Sequence, residues 1–107
     1  MNIILDEWLP RKLKRELVGH EAQTIQEMGW SGIVNGSFMA LIGQKDFEVF
    51  ITIDKNMRYQ QNLDKLPCAL MVLQTASNAF GSIEPHVPSI LQALPTLSKG
   101  QVVLIPS

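Results

Sequence analysis

A chain of 107 residues, 46% hydrophobic and 18% charged, has the composition of a globular domain and enough length for one packed core, which excludes a disordered tail and a string of domains. A formal net charge of −1 excludes a polycation, so any contact with nucleic acid must come from a local basic patch. The apolar runs are too short to span a bilayer, and the opening "MNIILDE" meets an acidic pair where a secretion signal would continue its apolar stretch, so a soluble, cytoplasmic protein is expected.

In chain order, "NIIL" (2–5) is nearly unbroken apolar and rich in branched residues, as in a strand covered on both faces. "LPRKLKRELVG" spaces Leu9, Leu13 and Leu17 four residues apart, with a proline near its start and Gly19 at its stop, which predicts a short amphipathic helix. "HEAQTI" (20–25) alternates as a strand nearer an edge does. "NGSFMALIG" (35–43) reads as a second helix behind an Asn35 cap. "EVFITI" (48–53), "CALMVL" (68–73) and "QVVLI" (101–105) read as further sheet interior, with helical turns over 77–87 and a helix from Pro88 to Pro95 between the last two. The longest piece without an assignment is 54–67. Strand and helix in alternation predict an α/β fold: a three-layer α/β/α sandwich around a mainly parallel five-stranded sheet, ordered 2-1-3-4-5. Cys68, the one cysteine, excludes an internal disulfide and reads as a small buried hydrophobe.

Ligands of such sheets sit beyond the carboxyl ends of the strands, where strand order reverses. Asp6 and Glu7 follow the first strand; Asp54, Lys55 and Asn56 follow the third; Thr75, Ser77 and Asn78 follow the fourth. With the first and third strands adjacent, Asp6 and Asp54 would emerge about 5 Å apart. Two carboxylates that close repel unless one is protonated or a cation lies between them, and hard oxygen donors suit Mg²⁺ or Mn²⁺. The plainer alternative is that each acid is a turn residue or a helix cap.

Arg11, Lys12, Lys14 and Arg15 in "RKLKR" would lie on the exposed side of the first helix, where they either hold a phosphate backbone or merely solvate the helix. Trp8 and Tyr59 flank the acidic segments; stacking on unpaired bases is open to both, although packing is the commoner use of tryptophan. Trp30 in "GWSG" is expected to pack between helix and sheet. His20 and His86 have no ligand spacing to each other or to Cys68, which argues against zinc. The run "YQQN" supplies Tyr59, Gln60, Gln61 and Asn62, amide-rich chemistry that a strand end needs only if it handles something polar or braces its own loop.

Taken together, "IILDEWLPRKL", "GHEAQTIQEMGWSG", "FITIDKN" and "YQQN" resemble a short bacterial branch of the PIN-like domains, over essentially the whole chain. The resemblance implies a three-layer α/β fold and a Mg²⁺- or Mn²⁺-dependent nuclease, in many relatives a toxin ribonuclease paired with an antitoxin. It implies Asp6 and Asp54 as metal ligands, Glu7 as a water-mediated ligand or base, Asn56 as a carbonyl ligand and Lys55 as a phosphate contact. Gln60, Gln61 and Asn62 would touch nucleotide edges or brace the loop. Expected partners are RNA, an antitoxin-like protein and a second copy in a homodimer. The chain departs from the family pattern in carrying Asn35 and Ser37 where relatives often have a further acid at the start of the second main helix, and Asn56 where another acid is frequent, which lowers the expected metal affinity. Two other readings stay open. One is a non-catalytic PIN-like module that binds RNA or protein. The other is a receiver-like phosphoacceptor domain, which also follows its first strand with acids and its third with an acid but ends its fifth strand on a lysine; this chain has "VVLIPS" there.

Overall fold

The computed structural model describes residues 1–33, 35–55 and 67–106, with backbone only at 35–38. Five strands form one sheet: β1 (Asn2–Leu5), β2 (Glu21–Thr24), β3 (Val49–Thr52), β4 (Ala69–Leu73) and β5 (Val102–Ile105). Their order is β2-β1-β3-β4-β5 and every pairing is parallel, with Leu5 level with Thr24 on one side and Ile51 on the other. The α/β architecture and the strand order are those the alternation of apolar runs predicts.

The two faces of the sheet are separated by residue parity, as the pleat requires. Ile3, Leu5, Val49, Ile51, Ala69, Met71 and Leu73 point to one side, where they meet Leu13 and Leu17 from α1 (Leu13–Glu16) and its end. The same side is closed by Ile83, Val87, Ile90 and Leu94 from a helical stretch. That stretch runs from α3 (Phe80–Ile83) through a 3-10 turn at Glu84–His86 into α4 (Val87–Ala93) and a second 3-10 turn at Leu94–Thr96. Ile4, Phe50, Leu70 and Val72 point to the other side, against Met39 and Ile42 of α2 (Asn35–Gln44), Ile25, Trp30 and Phe47. Trp30 meets Phe47 edge to face at 5.9 Å between centroids, filling the space between helix layer and sheet.

Local chemistry fixes the ends of these elements. α2 closes in a Schellman arrangement: Phe47 N–H donates to the Ile42 carbonyl and Asp46 N–H to the Gly43 carbonyl, with Asp46 at φ +57° in the left-handed region that Asp tolerates. Phe47 and Ile42 then share the same core cluster, the apolar contact that usually seals this motif. Between α1 and β2 the chain reverses at Gly19, whose φ of +86° disfavours a side chain.

Two expectations need correction. The first helical segment is shorter than its leucine spacing predicts: before and within α1 the bonds Leu13 N–H to Pro10, Lys14 N–H to Arg11 and Arg15 N–H to Lys12 all span three residues, so 10–15 is wound tightly and only Leu13–Glu16 is α-helix. β5 is an edge strand, and Leu104 is 37% exposed although the run "QVVLI" looks doubly covered; an edge strand has a neighbour on one side only. Cys68, just before β4, is buried, and burial pushes its thiol up to about 12, as the bland reading of that residue requires. Among the described residues no helix is long and apolar enough to cross a membrane.

Candidate functional site

Strand order reverses between β1 and β3, and the carboxyl ends of these two strands carry Asp6, Glu7, Thr52 and Asp54. One step beyond the Leu5–Ile51 pairing, Asp6 N–H donates to the Ile51 carbonyl, which sets Asp6 beside Thr52. The Asp6 carboxylate is buried, 7% exposed, and both of its oxygens are held. Thr52 Oγ1 donates to Oδ2 at 2.5 Å, and the Glu7 N–H donates to Oδ1 at 2.8 Å. The Thr52 hydroxyl, itself fully buried, also accepts the Asp54 N–H at 3.0 Å. One hydroxyl therefore locks the first acid's side chain to the second acid's backbone.

Burial pushes the Asp6 carboxyl above its ordinary range, against the stabilising bonds from Thr52 and Glu7, and the negative charges of Glu7 and Asp54 push the same way. Three acids thus share one electrostatic neighbourhood. Sequence reasoning sets Asp6 opposite Asp54; the register sets it opposite Thr52, with Asp54 two residues further along. Among the described residues no cluster of three or more His, Cys, Asp or Glu side chains is gathered around a metal-sized space. The donor chemistry still suits a hard cation, because an ionised carboxylate has about four lone-pair directions and Thr52 and Glu7 use two of those on Asp6. Mg²⁺ is commonly held by one or two carboxylates with waters completing the shell.

Glu7 is half-buried, its carbonyl accepting from Gln26 Nε2 at 2.8 Å, so the turn after β1 is tied to the loop after β2. Asp54 is half-buried and Lys55 exposed. The basic residues line a concavity of about 420 Å³ bordered by Arg11, Lys12, Lys14 and Arg15. Arg11, Lys12 and Arg15 are exposed, and Lys12 Nζ sits 5.9 Å from the Phe80 ring centroid. Lys14 differs from the expected free cation: it is half-buried and grips both oxygens of Glu27 at 2.7 and 2.8 Å. Arg11 approaches the same carboxylate at 3.7 Å. Glu27 also accepts the Thr24 N–H and returns its own N–H to the Thr24 hydroxyl; the Lys14 bond first, then those from Thr24, bring its carboxyl down to about 2.

Trp8 reverses the packing expectation, being 59% exposed. Asn56, Tyr59, Gln60, Gln61 and Asn62 lie outside the described residues, as do the side chains of Asn35 and Ser37. Thr52 and Glu27 escape a reading by residue type. A threonine closing a branched strand looks like ordinary strand composition, and its only sequence signal is its place two residues before an acid. The chain matches no family model, no curated protein and no solved structure.

Proposed function

We propose that this chain is a PIN-like, divalent-cation-dependent endoribonuclease, the toxin of a toxin–antitoxin pair acting in the cytoplasm. The observation that carries the reading is the buried Asp6 carboxylate at the reversal of strand order, under the fields of Glu7 and Asp54 and a few residues before a cationic concavity. Ionising a buried acid next to two others is costly, and a cation at that point lowers the cost.

In this reading Asp6 and Asp54 would hold Mg²⁺ or Mn²⁺, and Asn56 would be a further oxygen donor. The ion, when bound, supplies charge for the phosphodiester and a more acidic water. Thr52 fixes the Asp6 carboxylate in one orientation, so that Asp6 need not reorganise when substrate arrives. Glu7 would be the acid available to take a proton from the attacking water, and the exposed Lys55, next to Asp54, would contact the phosphate. Arg11, Lys12 and Arg15 hold the flanking backbone, with Lys14 joining them if Glu27 yields.

The specific observation favouring a second reading, a non-catalytic PIN-like module, is that both Asp6 oxygens already have donors, which also describes a structural strut. Titration of the protein with Mn²⁺, followed by thermal shift and RNA degradation and compared with the Asp6→Asn, Asp54→Asn double variant, separates the two. The nuclease reading requires a Mn²⁺-dependent rise in Tm and RNA cleavage, both lost in the double variant. Equal behaviour of the two proteins favours the module. Co-purification with the product of a neighbouring gene tests the toxin–antitoxin element.

A further inference from the structure

We infer that Trp8 is a stacking platform for one unpaired base of the RNA that the phosphodiester reading supplies. The choice of ligand rests on the phosphodiester reading above, while the platform rests on separate observations.

Trp8 is 59% exposed, whereas the next residue, Leu9, is buried against the sheet with Leu13 and Leu17. The core on that face is thus closed without the indole. The backbone carrying it is braced on both sides. Leu9 N–H donates to the Asp6 carbonyl across the turn, Glu7 N–H to the Asp6 carboxylate, and Gln26 Nε2 to the Glu7 carbonyl. A large ring on a fixed backbone loses little conformational freedom when a flat partner settles on it.

Chemistry on either side of Trp8 specifies that partner. Asp6 and Glu7 precede it; Arg11, Lys12 and Arg15, exposed and bordering one concavity, follow within two turns of chain. The chain thus carries an exposed π-face two residues after an acid that suits a hard cation and three before the first of the cations that suit phosphates, and that sequence of groups matches a nucleotide, with its base on the ring and its backbone toward the basic residues. A lipid chain would use the indole but not the acids, and an acidic peptide would use the cations but has no need of a stacking face. Bases inside a duplex are already stacked on their neighbours, so only an unpaired one is free to leave for the ring.

The test is binding in EDTA, where no cleavage occurs, using a short oligouridylate, the same oligomer with abasic riboses, and a duplex of equal length. Wild-type protein should bind the oligouridylate about tenfold more tightly than Trp8→Ala, with Trp8→Phe recovering most of the difference. The abasic strand should bind wild type and Trp8→Ala alike, and the duplex should bind more weakly than the oligouridylate. Tryptophan emission should be quenched on binding through Trp8, since Trp30 is buried. Equal affinity of wild type and Trp8→Ala for the oligouridylate, equal affinity of wild type for strand and duplex, or no binding of either overturns the inference. If binding depends on Trp8 but Mn²⁺ elicits no cleavage, the nuclease reading falls and this one stands.

Discussion

The carboxyl ends of β1 and β3 and the carboxyl end of β4 lie on the same rim of one sheet, yet their hydroxyl groups are spent differently. Beyond β4, Thr75 donates to the Ser77 and Ser82 carbonyls, the Ser77 and Ser82 hydroxyls bond at 2.8 Å, and Ser77 accepts the Ala79 N–H just ahead of α3. His86 donates through Nε2 to the Gln74 carbonyl. Every acceptor there is a carbonyl or a hydroxyl, and the bonds close a loop onto a helix start. Beyond β1 and β3 the single hydroxyl of Thr52 serves a buried carboxylate. Residue type does not distinguish the two uses. What does is whether the group opposite costs free energy to bury, and a carboxylate costs far more than a carbonyl.

That contrast is most exposed to failure in activity. Asp6→Asn should lower Mn²⁺-dependent RNA cleavage about 100-fold or more, whereas Ser77→Ala should leave it unchanged, both read as initial rates on one RNA substrate. In stability the matched pair is Thr52→Val and Ser77→Ala. Thr52→Val keeps the shape but strips a buried acid of its donor, and should cost about 1–3 kcal/mol in urea unfolding.

The two displaced carboxyl pKa values give opposite responses to acid. Asp6 has its folded-state pKa raised by burial, so the stability it contributes is fully present below the ordinary carboxylate value and is lost as pH rises through the raised one. Asp6→Asn should therefore melt at or above the wild-type temperature near neutral pH, with the gap narrowing as pH falls toward about 4. Glu27 has its pKa lowered, so its contribution is present above its ordinary value of 4.5 and is lost as pH falls toward about 2. Glu27→Gln should melt a few degrees lower at neutral pH and converge with wild type on acidification. It should also bind oligonucleotides more tightly, because Lys14 and Arg11 lose their internal anion. The smallest effect belongs to Ser77→Ala: a loss below about 1 kcal/mol, with a pH profile parallel to wild type.

The fold was legible because its information is one-dimensional. Runs such as "VFI" and "ALMVL" are apolar along their whole length only if both faces are covered, and that requires helices on either side. Asp6 was legible for a similar reason, as a charge at the end of such a run. Thr52 was not, since its significance lies in a pairing register with a strand 46 residues away. Nor was the short first helix: leucines four apart satisfy a tight turn as well as an α-helix when they only need to face one way. Lys14 and Glu27 read as two unrelated surface charges until the loop after β2 brings them together. Trp8 ran against the average behaviour of its residue type because Leu9 already fills the place beside it.

The buried sulfur at the start of β4 gives the molecule a gauge of its own opening. A thiol that keeps its proton up to about 12 offers no nucleophile to a maleimide while the strands are together, and Cys68 is the chain's single cysteine. Covalent labelling therefore counts the events that uncover the amino end of β4, one tag per molecule. The rate at which tags accumulate measures how often that end of the strand opens.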